Sequence, residues 1–328
     1  MKAVVDDKIP YMQGQIEQLV DEVCYLPGNA ISKTDVLDAD ILIVRTRTRC
    51  DRTLLEGSRV GLVVTATIGY DHLDTGYLDS AGIRWTNCPG CNASSVCQYV
   101  HNSLLATGYL QPGLTVGVVG VGHVGTLVAD DLERCGMRVL RCDPPKGEPA
   151  TLDEIARQAD IITFHTPLTR DGEHPTWHLA DDGFFHSLQR KPLVINSSRG
   201  AVVDNDAWLR ALDGGLVADA VVDTWEGEPA LNQELLSKAI IATPHIAGYS
   251  ADGKANATRM SLQAVCEFIG KPFTLDIQPP RLPDGFSYGE ETEGPLRLYD
   301  PRVDTAQLKA NPGKFEYFRG HYPLRRER

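Results

Sequence analysis

Three short segments carry the side chains best suited to chemistry: Ile195-Asn-Ser-Ser-Arg199-Gly200, Val222-Asp223-Thr-Trp-Glu226-Gly-Glu228-Pro229 and Thr243-Pro-His245-Ile-Ala-Gly248. Each follows a β-rich run, so each falls at the end of a predicted strand, where open α/β sheets bind ligands. His245 suits the removal of a proton from a hydroxyl, because an imidazole has an unperturbed pKa near ~6.5. A neighbouring carboxylate would raise that value and orient the ring, and Glu228 or Glu226 could supply it. Arg199 suits the grip on a carboxylate and the polarising of a carbonyl, since its planar fork matches a carboxylate and keeps its proton. Gly200 beside it removes a Cβ that would crowd the approach. Singly, these residues also read as a packed loop histidine, a helix N-terminal acid and a surface charge. Their joint placement is what points to chemistry.

The stretch Leu114-Thr-Val-Gly-Val-Val-Gly-Val-Gly-His-Val-Gly125 shows what such groups would work beside. Val116, Val118 and Val119 read as a buried parallel strand, running into Gly120-x-Gly122-x-x-Gly125 and a helix-like segment, Thr126 to Cys135. A second β-rich run, Arg138–Cys142, ends at Asp143. This is the order of parts in a dinucleotide fingerprint. Gly120 permits the tight turn, Gly122 lets backbone approach a pyrophosphate, and Gly125 lets the helix pack on the strand. The helix N-terminus offers N–H groups and partial positive charge to phosphates. Asp143 can accept from both ribose hydroxyls and repels a 2′-phosphate, which favours NAD over NADP. With a hydride acceptor in place, the proton acceptor and the carboxylate grip are the complement that alcohol oxidation needs.

The chain of 328 residues is about two domains long, with 42% hydrophobic and 23% charged residues, as in an ordinary globular protein. A net charge of −12 argues against nucleic acid or an anionic membrane as a general partner. No run of 18 apolar residues occurs, and Met1-Lys-Ala-Val-Val-Asp already reads as a strand, so a cytoplasmic protein is expected. The eight cysteines are scattered through predicted elements, which fits reduced thiols better than a disulfide framework. Cys88-Pro-Gly-Cys91 has no second ligand pair and reads as structural; no metal is expected.

A β-then-α rhythm runs through the first ninety residues: strands at Lys2–Val5, Ile41–Val44, Val60–Thr65 and Ile83–Asn87, helices at Tyr11–Leu19 and Leu73–Ala81. Ser94–Leu110 is a long helical pattern with Val96, Val100, Leu104 and Leu105 at apolar spacing. From Thr115 to about Ile246 the rhythm builds a second doubly wound sheet, with later strands at Ile161–Phe164, Leu193–Ile195, Val217–Val222 and Ile240–Ala242. Ala251–Ile269 is helical and would return the chain to the first domain. Beyond Lys271-Pro272 a Pro- and Gly-rich connection leads to a strand-like Leu296–Tyr299, a helical Val303–Lys309 and the basic end Arg325-Arg-Glu-Arg328. This tail is too small for a core of its own and would pack on a partner subunit.

Gly120-x-Gly-x-x-Gly125, Ser198-Arg-Gly200, Asp223…Glu228-Pro229 and Pro244-His-x-x-Gly248, in that order, resemble the D-isomer-specific 2-hydroxyacid dehydrogenases over about residues 1 to 270. The resemblance implies two Rossmann-like doubly wound parallel-sheet α/β domains with the nucleotide domain inserted into the substrate domain. It would place a substrate-binding domain at 1–93 and 250–275, an NAD-binding domain at 94–249 and a short dimerisation region at 276–328. It makes Arg199, Glu228 and His245 catalytic. For NAD it implies Gly120, Gly122, His123, Val124, Gly125, Asp143, Thr166, Ser197, Ser198, Asp223 and Gly248.

Longer stretches resemble the branch of this family that oxidises 4-phospho-D-erythronate on one route to pyridoxal 5′-phosphate. These are Pro89-Gly-Cys-Asn-Ala93, Cys142-Asp-Pro-Pro145, Thr163-Phe-His-Thr-Pro167, Arg199-Gly-Ala-Val-Val-Asp-Asn205 and Thr243-Pro-His-Ile-Ala-Gly-Tyr249; Ser198 stands where that pattern has Cys. This resemblance implies a homodimer, with Thr46, Thr67 and Tyr249 touching substrate. The substrate's phosphate needs cations. Arg45-Thr46-Arg47-Thr48-Arg49 follows a strand, and in extended conformation its arginines would point to one side, Arg45 among them toward the substrate. The alternatives are another D-2-hydroxyacid dehydrogenase, for 3-phosphoglycerate, and an NAD-sensing transcriptional corepressor of the same fold.

Overall fold

A computed structural model describes residues 1–291 and 293–327; Arg328, the last residue of the basic end, lies outside them. The chain divides into two compact units, Met1–Asn92 with Ser250–Arg281, and Ala93–Tyr249 with Leu282–Arg328.

The first unit is built on a five-stranded parallel sheet in the order β2-β1-β3-β4-β5. Its strands are β1 (Lys2–Asp6), β2 (Glu22–Leu26), β3 (Ile41–Val44), β4 (Leu62–Thr65) and β5 (Arg84–Thr86). All four residues of β3 and of β4 are buried, the continuous apolar run expected where both faces of a parallel sheet are covered. Alternate residues serve opposite cores. Ala3, Val5, Ile41, Ile43 and Val64 pack with Ala255, Leu262 and Val265 of the helix Ala251–Ile269. Val4, Leu42, Val44 and Val63 pack with Val36, Leu54, Leu55 and Leu78.

One expectation is corrected in this unit. Tyr11–Leu19 is not a helix: only Ile16–Gln18 forms a 3-10 turn. Tyr11 (φ 57°) and Gly14 (φ 83°) are left-handed, which stops an α-helix from propagating. The apolar spacing misled because Met12 and Ile16 are both fully buried from a looped backbone. The strand β2 that follows was not foreseen. Cys88 and Cys91 are buried, with the Cys88 sulfur 3.3 Å from the Ala257 carbonyl; burial pushes its thiol up to about 11. All eight cysteines are free thiols.

The second unit holds a six-stranded parallel sheet in the order β11-β10-β9-β8-β6-β7. The strands are β6 (Thr115–Val119), β7 (Arg138–Cys142), β8 (Ile161–Phe164), β9 (Leu193–Asn196), β10 (Asp219–Val222) and β11 (Ile241–Ala242). Strand order reverses at β6, between β7 and β8, and a crevice opens outside the carboxyl ends of the strands at such a point.

Residues from Leu282 onward belong to this same unit. Leu308 and Phe315 are buried in one core with Trp208, Leu235 and Ala239, and Tyr299 in another with Tyr99, Val100 and Leu104. The strand-like Leu296–Tyr299 is corrected to a helix, Gly294–Leu298, which Pro295 starts by fixing φ at a helical value. An alternation this short does not separate a strand from a helical turn. Helices follow at Pro301–Ala310 and Phe315–Gly320, the second unforeseen. Among the described residues no helix is long and apolar enough to cross a membrane.

Candidate active site

The glycine loop between β6 and the helix His123–Arg134 shows why each glycine is there. Gly120 sits at φ +87°, and a Cβ on it would lie 2.8 Å from the backbone of His165 and Thr166. A Cβ on Gly125 would fall 1.9 Å from the Gly120 carbonyl oxygen. Gly122 is different: a Cβ there meets nothing within 4 Å, so protein packing does not demand glycine. Gly122 also caps the helix with no side-chain hydrogen bond, leaving the first N–H groups for an external anion. Exposed His123 and half-buried Val124 open that helix.

Asp143 closes β7, and its Oδ2 accepts from Val121 N–H at 2.8 Å, tying the carboxylate to the glycine loop. Thr166 and Ser197 follow β8 and β9. Their hydroxyl oxygens are buried without a hydrogen-bond partner among the described residues. Buried hydroxyls are normally satisfied, so both fit a ligand with polar groups, as the ribose, pyrophosphate and amide of a dinucleotide are. The Ser198 hydroxyl instead donates to Asn196 Oδ1 at 2.9 Å. Asn196 Nδ2 donates to the Arg199 carbonyl at 3.0 Å, so the two brace the turn that presents Arg199. Gly200 proves necessary for a reason other than the one expected: a Cβ would lie 2.1 Å from the Trp225 carbonyl oxygen, so it serves packing of this turn against the next segment.

The choice between the two glutamates is resolved by geometry. Glu228 Oε1 lies 2.6 Å from His245 Nδ1, whereas Glu226 Oε1 is bonded to His178 Nε2 at 2.8 Å. Burial pushes the Glu228 carboxyl up. The His245 hydrogen bond and charge, the Trp225 N–H and the nearby Arg319 outweigh it and hold the pKa below the usual value. His245 has φ +55°, an uncommon conformation for a side-chain-bearing residue that its surroundings must enforce. Asp223, fully buried, supplies part of that constraint. Its Oδ1 accepts from Thr243 Oγ1 at 2.7 Å and Ile246 N–H at 2.8 Å, and its Oδ2 from Ala247 N–H at 3.0 Å. Gly248 and Tyr249 follow, half-buried, with the Tyr249 N–H on the Ile246 carbonyl.

In the first unit the arginine run does not extend as expected. Residues 45–48 form a turn closed by Thr48 N–H on the Arg45 carbonyl, so the three arginines do not share a side. Arg45 reaches Asp6, with Nε 3.3 Å from Oδ2 and Nη2 3.4 Å from Oδ1, and Arg49 pairs with Asp51. Thr46 is exposed, while Thr67 Oγ1 donates to the Gly69 carbonyl. One further residue of this unit was missed. Lys254, in the first turn of the helix Ala251–Ile269, has its pKa lowered by burial and by the charge of Arg45. No motif flagged it; only folding brings it near Arg45.

Residues 98–247 match the family model of the D-isomer specific 2-hydroxyacid dehydrogenase NAD binding domain. Over its whole length the chain is 51% identical to an erythronate-4-phosphate dehydrogenase of Bacteroides thetaiotaomicron, spanning 97% of it. It is 42% identical to one of Escherichia coli, again over the whole chain and 92% of the relative. Among solved structures it resembles a D-lactate dehydrogenase of Aquifex aeolicus complexed with NAD and lactic acid, at TM-score 0.66 and 23% identity over 82% of this chain and 96% of that one. It also resembles a Rhodotorula graminis D-mandelate dehydrogenase, at TM-score 0.69 and 20% identity over 85% and 99%.

Proposed function

The chain belongs to the D-isomer specific 2-hydroxyacid dehydrogenase family, and we propose that it oxidises 4-phospho-D-erythronate to 2-oxo-3-hydroxy-4-phosphobutanoate, a step toward pyridoxal 5′-phosphate. It is an NAD-dependent dehydrogenase. NAD, held at the glycine loop and at the ends of β7, β8 and β9, would supply the acceptor for the hydride on C2 of the substrate. The observation that carries the reaction is the 2.6 Å bond between Glu228 and His245 Nδ1. With Nδ1–H on the carboxylate, Nε2 is the nitrogen that takes the hydroxyl proton, and Glu228 stabilises the imidazolium so formed. Arg199 holds the substrate carboxylate and favours the developing carbonyl.

The NAD-binding set under this reading is Gly120, Gly122, His123, Val124, Gly125, Asp143, Thr166, Ser197, Ser198, Asp223 and Gly248. Arg45, Thr46, Thr67 and Tyr249 serve the substrate. The substrate itself rests on the full-length similarity to enzymes named for it. We further infer a homodimer working in the cytoplasm. The test is NADH formation by the purified protein across 2-hydroxy acids with and without phosphate. Preference for 4-phospho-D-erythronate is expected; faster turnover of 3-phosphoglycerate or of unphosphorylated erythronate overturns the substrate assignment.

A further inference from the structure

Ile246 and Ala247, the two residues after His245, are gripped from two directions. Asp223 accepts from their N–H groups, at 2.8 and 3.0 Å. Their carbonyls are held by Arg325, 79 and 78 residues further along the sequence, with Nη1 3.2 Å from the Ile246 oxygen and 3.3 Å from that of Ala247. Arg325 is 0% exposed. Its Nη2 donates to the Ser95 carbonyl at 2.7 Å, its Nε to Gln98 Oε1 at 2.8 Å, and the guanidinium lies 3.6 Å from the centre of the Tyr299 ring. Burying a guanidinium is costly unless its donors are satisfied, and here they are satisfied largely by the backbone of the histidine loop and of the helix Ala93–Thr107.

We propose that Arg325 is a positioning residue for the reaction. It fixes the peptides that hold His245 in its left-handed conformation and aim Nδ1 at Glu228, which makes the C-terminal segment a working part of the acid–base site. The carbonyls take a cation and the amides an anion, so the loop is clamped in orientation as well as in place. A lysine cannot reproduce this, because one ammonium does not span acceptors on residues 95, 98, 246 and 247 at once. The inference rests on the reading of His245 and Glu228 as the acid–base pair.

The experiment compares Arg325→Lys, Arg325→Met, Glu228→Gln, His245→Ala and the double variant Arg325→Lys/Glu228→Gln. Small displacements at a reacting centre cost about a hundredfold in rate. Arg325→Met is therefore expected to lower kcat by about that factor, with NAD affinity within threefold, and Arg325→Lys to recover part of the loss. Arg325→Lys should also move the pH profile in the same direction as Glu228→Gln, and the double variant should be little slower than Glu228→Gln alone, since both act through one bond. Should Arg325→Met fail to fold, the Arg325→Lys profile and the double variant decide. An unchanged kcat, or a loss multiplying fully with that of Glu228→Gln and leaving the pH profile in place, overturns the proposal while the acid–base reading stands. Near-normal turnover by His245→Ala and Glu228→Gln overturns both.

Discussion

Glu228 Oε1 sits 2.6 Å from His245 Nδ1, while the other candidate carboxylate, Glu226, is engaged by His178 at 2.8 Å. One glutamate thus faces the imidazole and the other ties its own segment to the connection between β8 and the helix Asp182–Ser187. The division of roles gives the first prediction. His245→Ala should lower kcat by roughly 10²–10⁴ with NAD binding retained. In Glu228→Gln the acid limb of kcat/KM should move to lower pH, because the imidazolium loses its carboxylate partner; Glu226→Gln should leave that limb in place. Glu228 itself is held below the usual carboxylate range by His245, so its own protonation falls outside this limb. Steady-state kinetics against pH check all three variants.

Cofactor choice supplies the second. Asp143 has one oxygen committed to Val121 N–H, which holds the carboxylate against the glycine loop. Asp143→Ser should weaken NAD and narrow its advantage over NADP. Parallel titrations with both dinucleotides measure it, and a wild type that uses the two equally well refutes the role given to Asp143.

Thr166 offers a test with two opposed signs. Its hydroxyl is buried and unpartnered among the described residues. Thr166→Val keeps the shape and removes the stranded oxygen, so the free protein should gain up to about 1 kcal/mol. NAD affinity should fall about tenfold, ~1.4 kcal/mol. Denaturant unfolding and cofactor titration read the two effects separately. Lower stability with unchanged affinity would mean that the hydroxyl serves the fold.

What the residues disclose, and what they hide, follows from range. Gly120 and Gly125 were legible because each answers a backbone constraint within a few residues of itself. The helix Ala251–Ile269 was legible because nineteen residues of one period leave little room for another reading. The strand β2, half-exposed at a sheet edge, lacked the apolar run that marked β3 and β4. Glu226 and Glu228 lie two residues apart with the same chemistry, so only the turn between them could assign a partner. Pairings such as Arg45 with Asp6 and Arg325 with Gln98 join residues 39 and 227 apart, and nothing local announces them.

Asp304 carries a pH prediction. It is buried, with Tyr288 and Tyr322 donating to its two oxygens at 2.9 and 3.0 Å. Burial pushes its pKa up to about 6, against those hydrogen bonds and the charge of Arg325. The folded state therefore binds this proton more tightly than the unfolded chain, where an aspartate titrates near ~3.9. The stabilisation is fully present below about pH 3.9 and is lost as pH rises through about 6, a change on the order of 2–3 kcal/mol. Asp304→Asn should remove this slope. Across that window the unfolding free energy of the wild type should fall with rising pH and that of the variant should not, so the two diverge toward the basic side; identical slopes would place the Asp304 titration elsewhere.

The last prediction concerns the phosphate. Arg45 is tied to a buried group, since Asp6 has a side chain 0% exposed and Arg45 one that is 34% exposed. The guanidinium thus has one edge on Asp6 and the remainder toward solvent, poised to take a second anion while the first holds its orientation. Arg45→Ala should raise KM for 4-phospho-D-erythronate by one to two orders of magnitude, ~1.4 kcal/mol per decade, and should hardly affect erythronate. It should also destabilise the fold, because Asp6 is left buried without its cation. For a partly exposed pair we expect about 1–2 kcal/mol, below the penalty for a fully buried one. Adding Asp6→Asn removes that stranded charge. The double variant Arg45→Ala/Asp6→Asn should regain stability and keep the high KM, which separates phosphate binding from support of the sheet. If KM returned together with stability, Arg45 would be acting through the fold, and Lys254, whose pKa burial and the charge of Arg45 lower, would be the next cation to test.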